Sequence, residues 1–247
     1  MDRLIYTAMT GASHVMQQQA AVSQNLANTN TPGYRSAVNT FRAVPLVGEG
    51  LPTRTFVVDS SSSSDFSQGA LQPTGRDLDV AVQGSGWLAL QMPDGSEAYT
   101  RNGSLQVGAN GNLQTRSGLN VAGDTGPISI PPNTEITIGK DGTISSVPSG
   151  TKPTPVIVVA RIKLANPPEA QLVRGEDGLF RTKDGSAAAA DANVMLAPGN
   201  VESSNVNTVG AMVDMISLAR MYDMQMKMLQ SADTNAKSST TILNINA

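Results

Sequence analysis

Few side chains in this sequence could carry out acid–base or metal chemistry. His14 is the only histidine and cysteine is absent, which excludes thiolate metal sites and any catalytic triad that does not use His14. Asp124-Thr125-Gly126 matches the tripeptide with which aspartic proteases position a carboxylate, but those enzymes need two copies that share a proton. Only one copy occurs and Pro127 follows it, so a turn explains it better. We therefore expect no enzyme activity, no metal ion and no cofactor.

The composition limits the remaining functions. The chain has 247 residues, of which 39% are apolar, and this suffices for a real core. A net charge of −3 gives no basic surface of the kind that binds phosphates, so we expect no nucleic-acid partner. No apolar run approaches roughly 18 residues, so we expect no direct membrane insertion. The first residues lead into an amphipathic segment rather than a continuous apolar one, which predicts no cleaved signal peptide and export by another route.

Residues 4–34 contain no Asp, Glu, Lys or Arg. Apolar residues recur there at spacings of three and four, which predicts a helix with a coiled-coil-like seam. The other face carries neutral amides such as Gln18 and Gln24, and amides can be buried once they are hydrogen-bonded. We expect protein to enclose this helix, and we expect it to end near Asn28 because Pro32 disfavours helix in the residue before it. The predicted interface residues are Ile5, Ala8, Ala12, Val15, Val22 and Leu26.

The segment from about residue 205 predicts a second amphipathic helix. A helix of about forty residues would extend roughly 60 Å, further than one β domain can cover, so much of its apolar stripe is expected to meet other helices. Gly210 has no side chain that could complete a capping box with Asn207, so the sequence does not determine where the helix starts. The predicted interface residues are Val209, Met212, Ile216, Ala219, Tyr222, Met226 and Leu229.

Between the helices, residues 77–204 alternate apolar and polar side chains in short runs, which predicts an all-β domain. Six dipeptides predict two-residue hairpin turns of type I′, in which both residues have positive φ. These dipeptides are Asp94-Gly95, Asn102-Gly103, Asn110-Gly111, Asp141-Gly142, Asp177-Gly178 and Asp184-Gly185.

Residues 35–76 are predicted to connect the helical and β parts. A β-hairpin is expected there, with a strand near residues 54–58 and a mobile loop at the serine run 60–64. The predicted fold class is therefore α+β. The terminal residues 1–34 and 205–247 form a paired, coiled-coil-like helical layer, and a central, mainly antiparallel β domain lies between them in the sequence.

Five segments in these three regions carry motifs: residues 23–35, 79–87, 98–104, 203–206 and 224–228. Together they resemble the axial proteins of the bacterial flagellum, the family of rod and hook subunits. Gly86-Trp87 and residues 174–181 are more similar to the proximal-rod branch of the family than to the distal-rod branch. The N-terminal motif residues are Ser23, Asn25, Leu26, Ala27, Asn28, Thr31, Pro32, Gly33 and Tyr34.

The resemblance implies a structural subunit of the basal-body rod, a periplasmic shaft that transmits torque from motor to hook. It also implies self-assembly, contacts with the rod proteins FlgB, FlgC and FlgG, and passage through the flagellar type III export apparatus without a cleaved signal. Three alternatives stay open: another axial protein such as the distal rod or hook, a secreted β-rich adhesin, and a peripheral membrane protein. An adhesin would not explain the helical ends, and the N-terminal helix lacks the Lys and Arg that anionic lipids select.

In an isolated monomer we expect neither terminal helix to bury its apolar stripe, so both should be marginal. This leaves residues 77–199 as the expected protease-resistant core.

Overall fold

The computed structural model describes residues 2–45, 55–148 and 156–244 of the chain. Two compact units are present. Unit 1 comprises Met1–Asn28, Ala37–Asp65 and Val206–Ala247, and unit 2 comprises Thr29–Ser36 and Phe66–Asn205. In chain order the elements are α1 (Asp2–Ala27), β1 (Ala37–Pro45), β2 (Thr55–Ser64), β3 (Leu71–Pro73), β4 (Val80–Gln83), β5 (Trp87–Gln91), β6 (Glu97–Thr100), β7 (Leu105–Val107), β8 (Leu113–Thr115), β9 (Asn120–Gly123), β10 (Gly126–Pro127), β11 (Thr134–Ile138), β12 (Thr143–Pro148), β13 (Ile157–Arg161), β14 (Leu164–Ala165), β15 (Leu172–Arg174), β16 (Phe180–Thr182), β17 (Met195–Pro198), β18 (Asn200–Glu202) and α2 (Thr208–Asn244).

The predicted α+β class is confirmed, with terminal helices that pack on each other and a central antiparallel region. The helix α1 ends at Ala27, as its sequence predicts. The start of α2 is fixed by Asn207, whose side-chain Oδ1 accepts a 3.0 Å hydrogen bond from the Gly210 backbone N–H. This is an N-cap that needs no capping-box partner. Neither helix, over its described residues, is both long and apolar enough to cross a membrane.

Small side chains line the contact between α1 and α2. The most buried residues of α1 are Ala8, Ala12 and Val15, and those of α2 include Ala211 and Ala232. At Gly11 of α1, an added Cβ would lie 3.3 Å from the side chain of Gln225 on α2. Small residues let two helices approach closely, so the seam depends on shape as much as on apolar area.

The serine run is part of a strand, and the prediction of a mobile loop at residues 60–64 is wrong. The strands β1 and β2 form an antiparallel hairpin in which Ala37 pairs with Ser64 and Thr40 with Ser61. Ladder hydrogen bonds use only backbone groups, so a polar run can pair wherever its partner strand supplies them. The start of the strand predicted at residues 54–58 lies partly outside the described residues, since β2 begins at Thr55.

Unit 2 is built on a nine-stranded sheet with the order β15-β16-β6-β5-β9-β8-β7, to which β10 adds beside β9 and β14 beside β5. A three-stranded sheet, β11-β12-β13, and the pairs β17-β4 and β18-β3 complete it. One hydrophobic cluster gathers the aliphatic side chains of the strands. A second cluster centres on Trp87, whose ring lies 4.7 Å from that of Phe180, so Trp87 is a core aromatic.

The bounds of unit 2 differ from those of the predicted β domain on the N-terminal side. Residues 29–36 and 66–76 belong to it, although both lie before the predicted start at residue 77. The strand β3 pairs with β18, which explains why residues near 71 join unit 2, which we call the β unit.

The hairpin turns are not of type I′. Among the described residues only Asn133 has a positive φ without being glycine, so the Asp or Asn of each predicted dipeptide has a negative φ. At Asp94-Gly95 the Gly95 N–H donates to the Met92 carbonyl, and the Met92 N–H donates to the Ser96 carbonyl. This pattern is a type I turn followed by a glycine bulge.

The turns at Asn110-Gly111, Asp141-Gly142 and Asp177-Gly178 repeat this backbone pattern. Asn102-Gly103 is not a hairpin turn, because β6 and β7 do not pair and Gly103 has no positive φ. Gly103 instead lies tightly against strand β4, where an added Cβ would meet the Val80 carbonyl oxygen.

Candidate functional site

A tight turn in the N-terminal motif packs Gly33 against the backbone of Glu202 and Arg101 within the β unit. The Tyr34 N–H donates to the Thr31 carbonyl at 3.3 Å, which closes a turn with Pro32 at its second position and Gly33, at a φ of 69°, at its third. The Gly33 N–H donates to the backbone carbonyl of Glu202 at 2.8 Å. A Cβ at Gly33 would lie 2.3 Å from the carbonyl carbon of Arg101, so the turn requires glycine for its φ and for its space.

Immediately after this turn, three charged side chains meet in the interior of unit 2. Nη1 of Arg35 lies 2.7 Å from Oε1 of Glu202, and Nη1 of Arg101 lies 3.1 Å from Oε2 of the same carboxylate. All three residues are at most 4% exposed. We call this Arg35–Glu202–Arg101 cluster the ionic joint. Its members come from three of the segments that resemble the axial family or adjoin them.

The carboxylate of Glu202 and the guanidinium of Arg101 have further partners. Oε1 of Glu202 accepts a hydrogen bond from the Gly69 N–H at 3.0 Å. Arg101 donates to the carbonyls of Val82 and Gly84, at 3.3 and 2.7 Å. Burial lowers the pKa of Arg101, the adjacent Glu202 charge opposes that change, and Arg35 lowers the pKa further. Arginine side chains are effectively always protonated in proteins, so the Arg101 guanidinium keeps its charge at physiological pH.

The positive charge in the joint exceeds the negative charge. Among the described residues, Nε and Nη2 of Arg35 and Nε of Arg101 have no hydrogen-bond partner. The contact of Arg35 Nη1 with Glu202 has the distance of an ion pair without the angles of a hydrogen bond. Such incomplete pairing is costly in a protein interior, so the joint is not arranged for maximal stability.

A second layer of contacts surrounds the joint. Nη1 of Arg174 donates to the Arg35 carbonyl at 3.1 Å, and its guanidinium lies 4.4 Å from the ring centroid of the buried Tyr34. Asn205 accepts from the Ser36 N–H through Oδ1 at 2.8 Å, and its own N–H donates to the Tyr34 carbonyl at 3.3 Å. The segment around Tyr34 is therefore tied to the segment that precedes α2.

The motif residues before the turn have different roles within unit 1. Asn25 bonds the backbone of Ala37 in both directions, with its Nδ2 donating to the carbonyl at 2.9 Å and its Oδ1 accepting from the N–H at 2.8 Å. Asn28 donates through Nδ2 to the Gln24 carbonyl at 2.9 Å, which satisfies one carbonyl at the end of α1. Leu26 is half-buried, whereas Ser23 and Ala27 are exposed.

The predicted interface residues separate into two groups. On α1, Ala8, Ala12 and Val15 are buried and Ile5, Val22 and Leu26 are half-buried. On α2, Tyr222 and Leu229 are half-buried, but the other five are exposed: Val209, Met212, Ile216, Ala219 and Met226. The face of α2 that packs within the chain instead carries Ala211, Met215, Leu218, Tyr222, Gln225, Leu229, Ala232 and Ala236.

The residues considered for chemistry have structural surroundings. His14 lies edge-on to Phe41 with 5.3 Å between ring centroids, and its Nδ1 is 3.2 Å from Oε1 of Gln17. Asp124 lies in the turn that joins β9 to β10. In the described part of the chain, no three His, Cys, Asp or Glu side chains are grouped so that they could hold a metal ion.

Reasoning from the sequence missed Glu202, Arg35, Arg101 and Arg174. Arg35 is the last residue of the segment 23–35 and Glu202 lies beside the segment 203–206, and nothing else in the sequence indicates a role for either. One usable signal was present: each of the three charges of the joint lies in or beside a motif. Their separations in the chain gave no indication that they meet.

Comparisons with known proteins match all three regions. Residues 5–35 match the family model described as flagella basal body rod protein, residues 81–146 that of the flagellar hook protein FlgE/F/G D1 domain, and residues 197–242 that of the flagellar basal body rod FlgEFG protein C-terminal. The flagellar basal-body rod protein FlgF of Escherichia coli K12 is 46% identical over 251 residues, covering 99% of this chain and 100% of the relative. FlgF of Salmonella typhimurium LT2 is 45% identical with the same coverage. FlgG of Buchnera aphidicola subsp. Schizaphis graminum is 31% identical, covering 93% of this chain and 95% of the relative.

Proposed function

Because the chain belongs to the flagellar basal-body rod protein family, we propose that it is a structural subunit of the proximal rod and assembles through its terminal helices. The observation that carries this proposal is the full-length similarity to FlgF of Escherichia coli, at 46% identity over 99% of this chain. The similarity extends through the helices and the β region alike, so it concerns the whole subunit.

The exposed face of α2 supports assembly through helices. The side chains of Val209, Met212, Val213 and Ile216 are 50% to 72% exposed on one stretch of this helix. Farther along, Met221, Met224, Met226 and Met228 are also exposed. Exposed apolar area of this extent is typical of a surface that contacts another protein, and methionine adapts to irregular contacts.

We infer the partners and the export route from the resemblance to rod proteins. We propose contacts with further copies of this chain and with FlgB, FlgC and FlgG, in a periplasmic rod that transmits torque from motor to hook. Contacts that do not close into a ring build helical assemblies, which is the symmetry of a rod. We also propose export through the flagellar type III apparatus without a cleaved signal.

The test replaces one exposed apolar side chain on α2. Ile216→Glu should leave the melting temperature of the purified monomer nearly unchanged, because this side chain is 56% exposed in the single chain. The same variant should lower the amount of protein in isolated basal bodies and impair swimming, because assembly would bury the new charge without a partner. Gln230→Glu is the matched control, since it adds the same charge at another exposed position of α2.

Normal swimming and normal incorporation of Ile216→Glu would contradict assembly through this face. If Gln230→Glu also lost swimming and incorporation, the effect of Ile216→Glu would not be specific to its position. The exposed apolar face of α2 would then have no support as the assembly surface.

A further inference from the structure

We propose that Glu202 is the single carboxylate on which both arginines of the ionic joint depend. We further propose that the joint forms within the unassembled chain and holds residues 29–36 and 200–205 in the β unit. The signature segments at the two ends of the β unit would then act inside one chain, rather than as contact surfaces between copies. This inference does not depend on the proposed function, because it concerns the isolated monomer.

The number of charges singles out Glu202. The side chains of Arg35, Arg101 and Glu202 are 0%, 4% and 1% exposed, so two buried guanidiniums share one buried carboxylate. Removing Arg35 would leave a neutral Arg101–Glu202 pair. Removing Glu202 would leave two cations together with no counter-charge, and an unpaired buried charge is strongly destabilising.

Backbone contacts place Glu202 between the segments that it joins. Its carbonyl accepts from the Gly33 N–H at 2.8 Å, and its Oε1 accepts from the Gly69 N–H at 3.0 Å. The neighbouring Ser203 carbonyl is so close to Gly69 that an added Cβ there would lie 2.0 Å from its oxygen. These contacts do not involve the arginines, and they fix the position of the carboxylate independently.

The arrangement favours specificity over stability. Apolar side chains of similar volume would often stabilise such a site as well or better. Both arginines depend on the one carboxylate of Glu202, and the three residues lie on segments far apart in the sequence. The joint therefore disfavours arrangements in which the Glu202 segment is out of place, because these leave two buried guanidiniums without a counter-charge.

A double-mutant cycle in the purified full-length chain, verified as a monomer, tests the proposal. Glu202→Ala should lower the melting temperature by about 6–20 °C, and Arg35→Met should lower it by a clearly smaller shift. In the Glu202→Ala background, adding Arg35→Met should raise the melting temperature, since it removes one of two uncompensated cations. If Glu202→Ala does not fold, the double variant should recover folding. If these side chains acted only by filling space, Arg35→Met would lower the melting temperature in both backgrounds.

Two further measurements use the same proteins. Formate should raise the melting temperature of Glu202→Ala more than chloride does at matched ionic strength, because a small carboxylate can replace the missing one; the wild type should not respond. In hydrogen–deuterium exchange, peptides that cover residues 29–36 should be protected in the wild-type monomer and lose protection in Glu202→Ala. Glu169→Ala is the matched control: Glu169 is an exposed glutamate that also acts electrostatically on Arg101, and its loss should have little effect.

The proposal would be overturned if Arg35→Met lowered stability in both backgrounds. It would also be overturned if residues 29–36 exchanged without protection in the wild-type monomer, or if formate and chloride acted alike on a folded Glu202→Ala variant.

Discussion

At the scale of single residues, Gly33 is the position where the motif is least tolerant of a side chain. Its φ of 69° disfavours other residues by about 1–2 kcal/mol, and an added Cβ would also lie 2.3 Å from the backbone of Arg101. We therefore expect Gly33→Ala to lower the free energy of unfolding by roughly 2–4 kcal/mol, and Gly33→Val by more, as measured by urea denaturation. The chain offers a matched control in Gly75, which has the same φ of 69° and no heavy atom within 4 Å of an added Cβ.

Gly75→Ala should show the conformational cost alone, about 1–2 kcal/mol. Equal losses in the two alanine variants would mean that the approach of Gly33 to Arg101 contributes nothing.

The aspartates of the turns make stability depend on pH. Hydrogen bonds from the side chain and N–H of Ser96 lower the pKa of Asp94, and those from Thr143 lower the pKa of Asp141. A carboxyl group whose pKa is depressed by folding stabilises the folded state above its unfolded pKa of about 4, and this contribution is lost as the pH falls through the folded pKa. The melting temperature should therefore decline as the pH is lowered from about 5 to 3.

The double variant Asp94→Asn/Asp141→Asn should reduce the steepness of that decline, because asparagine can keep the turn hydrogen bonds but does not titrate in this range. Thermal scans at several pH values measure the steepness, and an unchanged slope would count against these two aspartates.

At the scale of elements, the seam of α1 could be predicted from the sequence, but the contact face of α2 could not. On α1 the apolar residues of the predicted seam coincide with its buried face. On α2 the large apolar residues suggested a stripe through Val209, Met212 and Ile216, whereas alanines and other residues between them pack against α1. Close approach of two helices favours small side chains, and periodicity of large side chains cannot reveal that preference. The exposed stripe stays a prediction for contacts with other subunits.

The strands show a similar limit. The β character of residues 77–204 could be predicted, because alternation reports burial of one face. The strand at the serine run and the short pair β3-β18 could not be found this way, since backbone pairing alone defines them. The turn dipeptides marked reversals correctly at several sites, but not the turn type, which depends on the φ of the residue before glycine.

The uncharged polar face of α1 leads to a prediction about assembly. Gln24 is exposed in the single chain, so Gln24→Lys should change the stability of the monomer by no more than about 0.5 kcal/mol. In the assembled rod we expect this face to be enclosed, so the new charge should lower incorporation into basal bodies, and Gln18→Glu should do the same. Gln24→Ala, which adds no charge, is the control and should assemble better than Gln24→Lys. Full motility of both charged variants would show that this face remains in solvent.

At the scale of the whole molecule, the limits of the β unit decide which fragment folds. We expected a resistant core at residues 77–199, but Thr29–Ser36 and Phe66–Asn205 form one compact unit. A fragment of residues 77–199 lacks both Glu202 and Arg35 and leaves Arg101 buried without its counter-charge, at a cost of about 3–5 kcal/mol. It also lacks both strands of the β3-β18 pair.

We therefore predict an order of stability among three fragments. Residues 29–205 should unfold cooperatively at the highest temperature. Residues 66–205, which keep Glu202 and the β3-β18 pair but lose Arg35 and the Gly33 turn, should melt at an intermediate temperature. Residues 77–199 should melt lowest or show no cooperative transition. Differential scanning calorimetry measures all three, and limited proteolysis of the full chain should give a resistant fragment that ends near Asn205 rather than near Gly199. If the 77–199 fragment melts as high as 29–205, the joint contributes nothing to the β unit, and the boundaries predicted from alternation alone would be the correct ones.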